Sequence, residues 1–113
     1  MKFQQILLAA AVFALQNLHS SAATLYVDLN STNPAPPYTD WSIAATNIQD
    51  AVDTASAGDK VLVTNGVYAT GGRSWFSQGT NRVTLTNAIT LQSVNGPAAT
   101  FIVGSQVAGT DRL

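Results

Sequence analysis

The stretch ATNIQDAVDTASAGDKVLVTNGVY, residues 45–68, decides the fold of this chain. Apolar residues in its first half recur at i, i+3, i+4 and i+7, the spacing of one helix face: Ile48, Ala51, Val52 and Ala55. Thr46 and Gln49 match a capping box with Thr46 as N-cap, and Gly58 is placed to stop the helix. We therefore predict a helix over about residues 46–56. It is too short to be stable alone, so it must dock through Ile48 and Val52.

Short runs of β-branched and apolar residues lie on both sides of this helix, separated by Gly, Asn and Pro turns, a pattern typical of strands. The predicted strands are Thr24–Asp28, Lys60–Thr64, Val67–Tyr68, Arg82–Thr86, Ile89–Val94 and Thr100–Val103. The dipeptide Asn65-Gly66 also suits a tight hairpin between the strands that flank it. The strand pattern alone thus leaves two architectures open, an antiparallel sandwich and a solenoid.

Composition bounds the class of protein. The 113 residues suffice for one modest domain, with a formal net charge of −1 and only 10% charged residues. Thirteen Thr, 8 Asn and 8 Gly supply an uncharged polar surface. This balance excludes the basic footprint of a nucleic-acid-binding protein, so no nucleic-acid partner is expected. Cysteine is absent, which excludes a disulfide framework and thiolate metal sites.

The first segment has the three parts of a secretory signal peptide: positive Met1-Lys2, an apolar run over Ile6–Leu15, and small residues at Ser21-Ala22-Ala23. As a helix the apolar run is about 15 Å long, roughly half of the bilayer core, which argues against a membrane anchor. We predict a signal peptide over residues 1–23 with cleavage after Ala23. Residues 24–113 would then be secreted without a membrane span, to the exterior, the periplasm or the cell surface.

Removal of the signal peptide also removes the histidine, His19, and the remaining chain contains neither Cys nor Glu. Ser-His-Asp and Cys-His catalysis and His-ligated zinc are therefore excluded within residues 24–113. General acid–base chemistry is left to Asp, Lys, Tyr or an unusual Arg.

Two stretches of the chain resemble a known family. Residues 45–68 and then Leu85–Gly104 are similar to the opening of a right-handed parallel β-helix of the pectin-lyase-like superfamily. Its members commonly begin with IQxAIDAAxxGDxVxVxxGxY and continue with LTxxITLxSxNGPxxTxIxG. Tyr26-Val27-Asp28 and Pro36-Pro37-Tyr38 also look like the lead-in of bacterial secreted members. The resemblance implies a mainly β solenoid whose helix 46–56 closes the apolar end of the first coil.

The resemblance implies a secreted protein that binds or degrades polysaccharide, with its N-terminal cap and first coils in residues 24–113. The alternatives are a non-catalytic, adhesin-like β-helix at the cell surface and a small carbohydrate-binding β-sandwich. Solenoids need about three repeats and a second cap, and none is evident after Val103. We therefore expect a fragment whose last coil exposes an apolar edge that is prone to self-association.

Pectate-lyase-like relatives hold calcium with Asp carboxylates and use an Arg as base, on coils later than those present here. We therefore predict no catalytic, cofactor or metal residue in this chain, and whether the full-length protein is an enzyme stays open. Asp50 and Asp53 are expected on a solvated helix face, and Asp59 in a turn. Asp111-Arg112, near the end of the sequence, are not expected to be catalytic.

Aromatic residues are the candidates for stacking on sugar rings. Trp75 and Phe76 lie in a Gly-rich loop over Gly71–Gln78, a setting in which binding residues often occur. Tyr38 and Trp41 offer the same chemistry. The alternative for all four side chains is packing over the helix or the base of the loop.

Overall fold

The computed structural model describes residues 21–74 and 79–105. This part of the chain is mainly strand and irregular structure with one α-helix, which confirms the coarse prediction. The strands are β1 (Thr24–Val27), β2 (Lys60–Val63), β3 (Gly66–Tyr68), β4 (Arg73–Ser74), β5 (Thr80–Asn81), β6 (Thr90–Ser93) and β7 (Thr100–Ile102). The helix α1 spans Ile48–Thr54, and a 3₁₀ turn spans Trp41–Ile43. The predicted signal peptide lies, for residues 1–20, outside the described residues.

The largest sheet has the order β1-β2-β6, and its strands all run parallel. Leu25 pairs with Val61 and Val61 with Leu91, so apolar side chains lie above one another on the inner face. Val61 and Val27 are fully buried there. Parallel neighbours cannot be joined by a tight turn, so the chain makes a long excursion between successive strands.

Asn65-Gly66 does not close a hairpin. Its flanking strands belong to different sheets, because β2 pairs with β1 and β6 while β3 pairs in parallel with β7. The Gly66 amide donates to the Ala99 carbonyl at 2.9 Å, across to the next layer of chain. Asn65-Gly66 is thus a corner between two parallel sheets, and the hairpin on which the sandwich alternative relied is wrong. Within the described residues the antiparallel pairing of strands is limited to β4 with β5, and the sheets are short and form no solenoid by themselves.

The helix, Ile48–Thr54, is shorter than the predicted 46–56, and its N-cap lies one residue later than predicted. Its N-cap is Asn47, not Thr46, because the extended Asn47 presents its side-chain oxygen to the Asp50 amide at 3.0 Å. The helix ends at Thr54 since Ala55 is already extended, with φ −70° and ψ 141°. Gly58, with φ +91°, shapes the turn into β2 rather than stopping the helix.

The core lies between α1 and the first two strands of the parallel sheet. Ile48 and Val52 are each 2% exposed and pack with Val27 and Val61, so the predicted docking of the helix is confirmed. Tyr68 closes the core from β3, where its hydroxyl donates to the Thr64 carbonyl at 3.0 Å. Burying the two helix side chains contributes roughly 3–6 kcal/mol, a large part of a small domain's stability.

The predicted strand over Arg82–Thr86 is wrong, and Gln49 is the reason. The Thr84 amide donates to Gln49 Oε1 at 2.7 Å, and Gln49 Nε2 donates to the Thr84 carbonyl at 3.1 Å. The side-chain amide of Gln49 thus makes both backbone hydrogen bonds of Thr84 that a neighbouring strand would otherwise make. Gln49 consequently does not reach back to cap the helix, as the capping-box pattern had suggested.

Candidate functional site

One end of the parallel stack is closed. The outer edge of β1 is covered by preceding chain, since the Tyr26 amide donates to the Tyr38 carbonyl at 2.7 Å and the Asp28 amide to the Ala45 carbonyl at 2.8 Å. Helix α1 lies beneath this edge with Ile48 and Val52 inward. The preceding chain and α1 thus cover the outer side of β1.

The opposite end is open. Among the described residues β6 pairs only with β2 and β7 only with β3, so each presents an unpaired backbone edge. Phe101, Ile102 and Val103 are 48%, 51% and 43% exposed beside it. A cavity of about 250 Å³ opens at this end. It is lined by Ile48, Val63, Leu91, Gln92, Ser93, Pro97, Thr100 and Ile102.

Two asparagines lie one above the other at the corner between the sheets. Asn95 Nδ2 donates to Asn65 Oδ1 at 2.8 Å. Val63 and Ser93, the last residues of β2 and β6, are register partners. Asn65 and Asn95 each come two residues later in sequence, so they occupy equivalent positions in successive layers. The recurrence of Asn-Gly at 65–66 and 95–96 is the sequence signal for this contact, which analysis of single turns missed.

An aromatic pair lies on the outer surface at the closed end. The rings of Tyr26 and Trp41 have centroids 4.4 Å apart and are tilted by 55°. Trp41 is 40% exposed and Tyr26 is half-buried. Tyr38 is instead part of the core, and its burial, with a smaller effect of Asp50, raises the pKa of its phenol. Of the two predicted stacking residues that the structure describes, Trp41 is exposed and Tyr38 is buried; Trp75 and Phe76 lie outside the described residues.

The surroundings of this aromatic pair are an outward-facing row of the sheet and the Asp40 carboxylate at the start of the 3₁₀ turn. Tyr26, Leu62 and Gln92 are register partners across the sheet and point outward in one row. The Asp40 carboxylate accepts from both the amide and the hydroxyl of Ser42, each at 2.8 Å. These hydrogen bonds lower the pKa of Asp40 and hold the 3₁₀ turn that carries Trp41.

Acidic side chains of the described chain accept hydrogen bonds or form an ion pair with nearby groups. Asp50 accepts from the Asn47 side chain at 2.8 Å, and Asp53 pairs with Arg73 at 3.2 Å on the exposed helix face, as predicted for that face. Asp59 lies in the predicted turn, where the amides of Ala23 and Ser56 donate to its carboxylate and lower its pKa.

No group of three or more His, Cys, Asp or Glu side chains gathers within residues 21–74 and 79–105. Calcium ligation of the kind found in pectate-lyase-like proteins needs several oxygen ligands converging on one point. Apart from Asp50 and Asp53, which share α1, the described acidic residues lie on separate elements, and Asp111-Arg112 lie outside the described residues. The site features of this part of the chain are therefore the open end and the aromatic pair.

Comparison with protein-family models, with curated proteins and with solved structures finds no match for this chain. In the described residues, no helix has the length and apolar character needed to cross a bilayer.

Proposed function

We propose that this chain is the N-terminal cap and first coils of a secreted right-handed parallel β-helix protein of pectin-lyase-like type, which binds or degrades polysaccharide. The observation that carries the proposal is the in-register parallel stack β1-β2-β6, closed at one end by α1 and open at the other. A solenoid needs such an asymmetric first unit, because its terminal coil must be capped while every later coil is covered by the next.

The spacing of paired residues supports stacked coils. Lys60 pairs with Thr90, 30 residues on, and Gly66 pairs with Thr100, 34 residues on. One circuit of the chain therefore adds one strand to each of the two parallel sheets, β6 beside β2 and β7 beside β3. The contact between Asn65 and Asn95 adds an asparagine ladder at the corner, a feature of stacked in-register chains. A right-handed circuit is proposed because nearly all parallel crossovers take that hand.

The aromatic pair supports a polysaccharide ligand. Aromatic faces pack against the C–H groups of a sugar ring, and the carboxylate of Asp40, the residue before Trp41, can bond its hydroxyls. The geometry is set before any ligand binds, because the 3₁₀ turn holds Trp41 over Tyr26. Pre-organisation of this kind reduces the entropy lost on binding.

We propose that this part of the molecule binds rather than cleaves. A pectate-lyase-like reaction would need calcium, Asp ligands and an Arg base on later coils of a full-length protein. Of the acidic residues in the described range, Asp53 has an arginine beside it, and that pair is an exposed surface contact on α1.

The proposal is tested by binding to immobilised polysaccharides, both neutral (xylan, β-glucan) and acidic (polygalacturonate). Trp41→Ala is compared with Val67→Ala, a control at a site that is 53% exposed and distant from the aromatic pair in sequence. We expect retention of the wild type on at least one polysaccharide and roughly tenfold or greater weakening in Trp41→Ala, the usual loss at an aromatic anchor. The control should bind as wild type.

Absence of binding to every polysaccharide by the wild type would contradict the polysaccharide proposal. Binding that Trp41→Ala leaves unchanged would place the contact elsewhere on the chain.

A non-catalytic adhesin-like β-helix is the second candidate, and the open end favours it. Uncharged strands with unpaired edges are suited to association with another chain. In that case self-association through β6 and β7, rather than sugar binding, is the activity of this region.

A further inference from the structure

The sequence at the end of the proposed leader allows two cleavage positions. Small residues stand at −3 and −1 both for a cut after Ala22, with Ser20 and Ala22, and for a cut after Ala23, with Ser21 and Ala23. Sequence rules alone do not distinguish the two, since each meets the requirement for small side chains.

The structure distinguishes them, because Ala23 belongs to the fold. Its carbonyl accepts from the Lys60 amide at 2.9 Å, and its amide donates to Asp59 Oδ1 at 2.8 Å. Its methyl group packs against the hydrophobic core, whereas Ala22 is exposed. A cut after Ala23 would remove both hydrogen bonds and leave the Lys60 amide without this acceptor.

We propose that the leader is cleaved between Ala22 and Ala23, one residue before the boundary chosen from sequence, and that the new α-ammonium group of Ala23 pairs with Asp59. This inference rests on the proposed secretion. The step is hydrolysis by a host signal peptidase. The bond between the Ala22 carbonyl carbon and the Ala23 nitrogen breaks. Water supplies the second oxygen of the Ala22 carboxylate, and its two protons convert the Ala23 amide nitrogen into the ammonium group.

The carboxylate of Asp59 is already placed for this role. Its second oxygen accepts from the Ser56 amide at 2.9 Å, which fixes the side chain in the turn before β2. The first oxygen faces the Ala23 nitrogen. Cleavage converts that amide donor into an ammonium donor, and a hydrogen bond between two charged partners is stronger than one with a neutral donor. The cut thus strengthens the contact where β1 begins.

The first test is the terminus of the exported protein. The chain from Met1 is produced in a secreting bacterial host, and the mature product is examined by intact mass and N-terminal sequencing. We expect the sequence Ala23-Thr24-Leu25. A product that begins at Thr24 would overturn the proposed bond. An unprocessed, non-exported chain would instead overturn the secretion on which it rests.

Two junction variants form a matched pair. Ala22→Leu places a large residue at −1 of the proposed bond, while Ala23→Leu does so only for the alternative bond. We expect Ala22→Leu to abolish cleavage before Ala23 and Ala23→Leu to leave that cut in place. The reverse pattern would overturn the proposal. Processing is measured in total culture, so it does not depend on how stably each variant folds.

The second test addresses the ion pair on the mature protein. An amine-reactive ester labels the α-amino group faster when that group is less protonated. We expect Asp59→Asn to speed labelling of Ala23 several-fold, and Asp28→Asn, whose carboxylate accepts from the nearby Asn30 amide, to leave it unchanged. Equal labelling in wild type and Asp59→Asn would refute the pair.

Discussion

Gln49 shows how a single polar residue shapes this fold. It lies on the helix, is 2% exposed, and uses both its donor and its acceptor on the backbone of Thr84. A buried side-chain amide is tolerated only when it is bonded in this way. Periodicity could not predict this role, because the partner lies 35 residues away in sequence and the capping-box pattern offered a nearer one.

We predict that Gln49→Ala lowers the free energy of unfolding by about 1–3 kcal/mol, because it leaves the amide and carbonyl of Thr84 unpaired in a partly buried place. Urea unfolding followed by circular dichroism measures the change. Gln92→Ala, at an exposed position on β6, is the matched control and should alter stability by less than about 0.5 kcal/mol. Equal effects of the two substitutions would contradict the assigned role of Gln49.

At the scale of elements, the sequence predicted what depends on local pattern. The apolar stripe of α1 was found because helical spacing follows directly from burial of one face, and Ile48 and Val52 are buried as expected. The strands that became β1, β2, β6 and β7 were located to within two residues. The failures are the choice of Thr46 rather than Asn47 as N-cap and the strand over Arg82–Thr86, where the partner of Thr84 is the side chain of Gln49. The strand pattern left the pairing of strands open, because local pattern does not encode it.

The position of the cap yields a direct prediction. Asn47→Ala should destabilise the protein by about 0.5–2 kcal/mol, because the Asp50 amide loses its side-chain acceptor. Thr46→Ala removes the hydroxyl of the residue that the capping-box pattern had selected and should cost clearly less. Thermal or urea unfolding of the two variants decides between them. A larger loss of unfolding free energy in Thr46→Ala than in Asn47→Ala would show that Thr46 is the N-cap.

At the scale of the whole molecule, the two ends of the stack differ in kind. Helix α1 and the preceding chain cover β1, while β6 and β7 have no second partner strand among the described residues and contain no charged residue. Natural proteins usually protect such edges with charges, proline or a covering segment. Within residues 21–74 and 79–105, the stack is therefore covered on one side and open on the other.

We predict concentration-dependent association through the open end, detectable by light scattering. Phe101→Lys places a charge on β7, where the side chain is 48% exposed, and should reduce the association. Leu85→Lys, at a 49% exposed site outside the strands, is the control and should leave association unchanged. A monomer at all concentrations in the wild type would contradict this use of the edge.

The central claim is that successive layers of chain run the same way, with α1 closing the first of them. Backbone nuclear Overhauser effects in the folded protein test it directly. We predict contacts in parallel register between β2 and β6, including Val61 with Leu91. An antiparallel ladder joining β2 to β3 across Asn65-Gly66 would contradict the account.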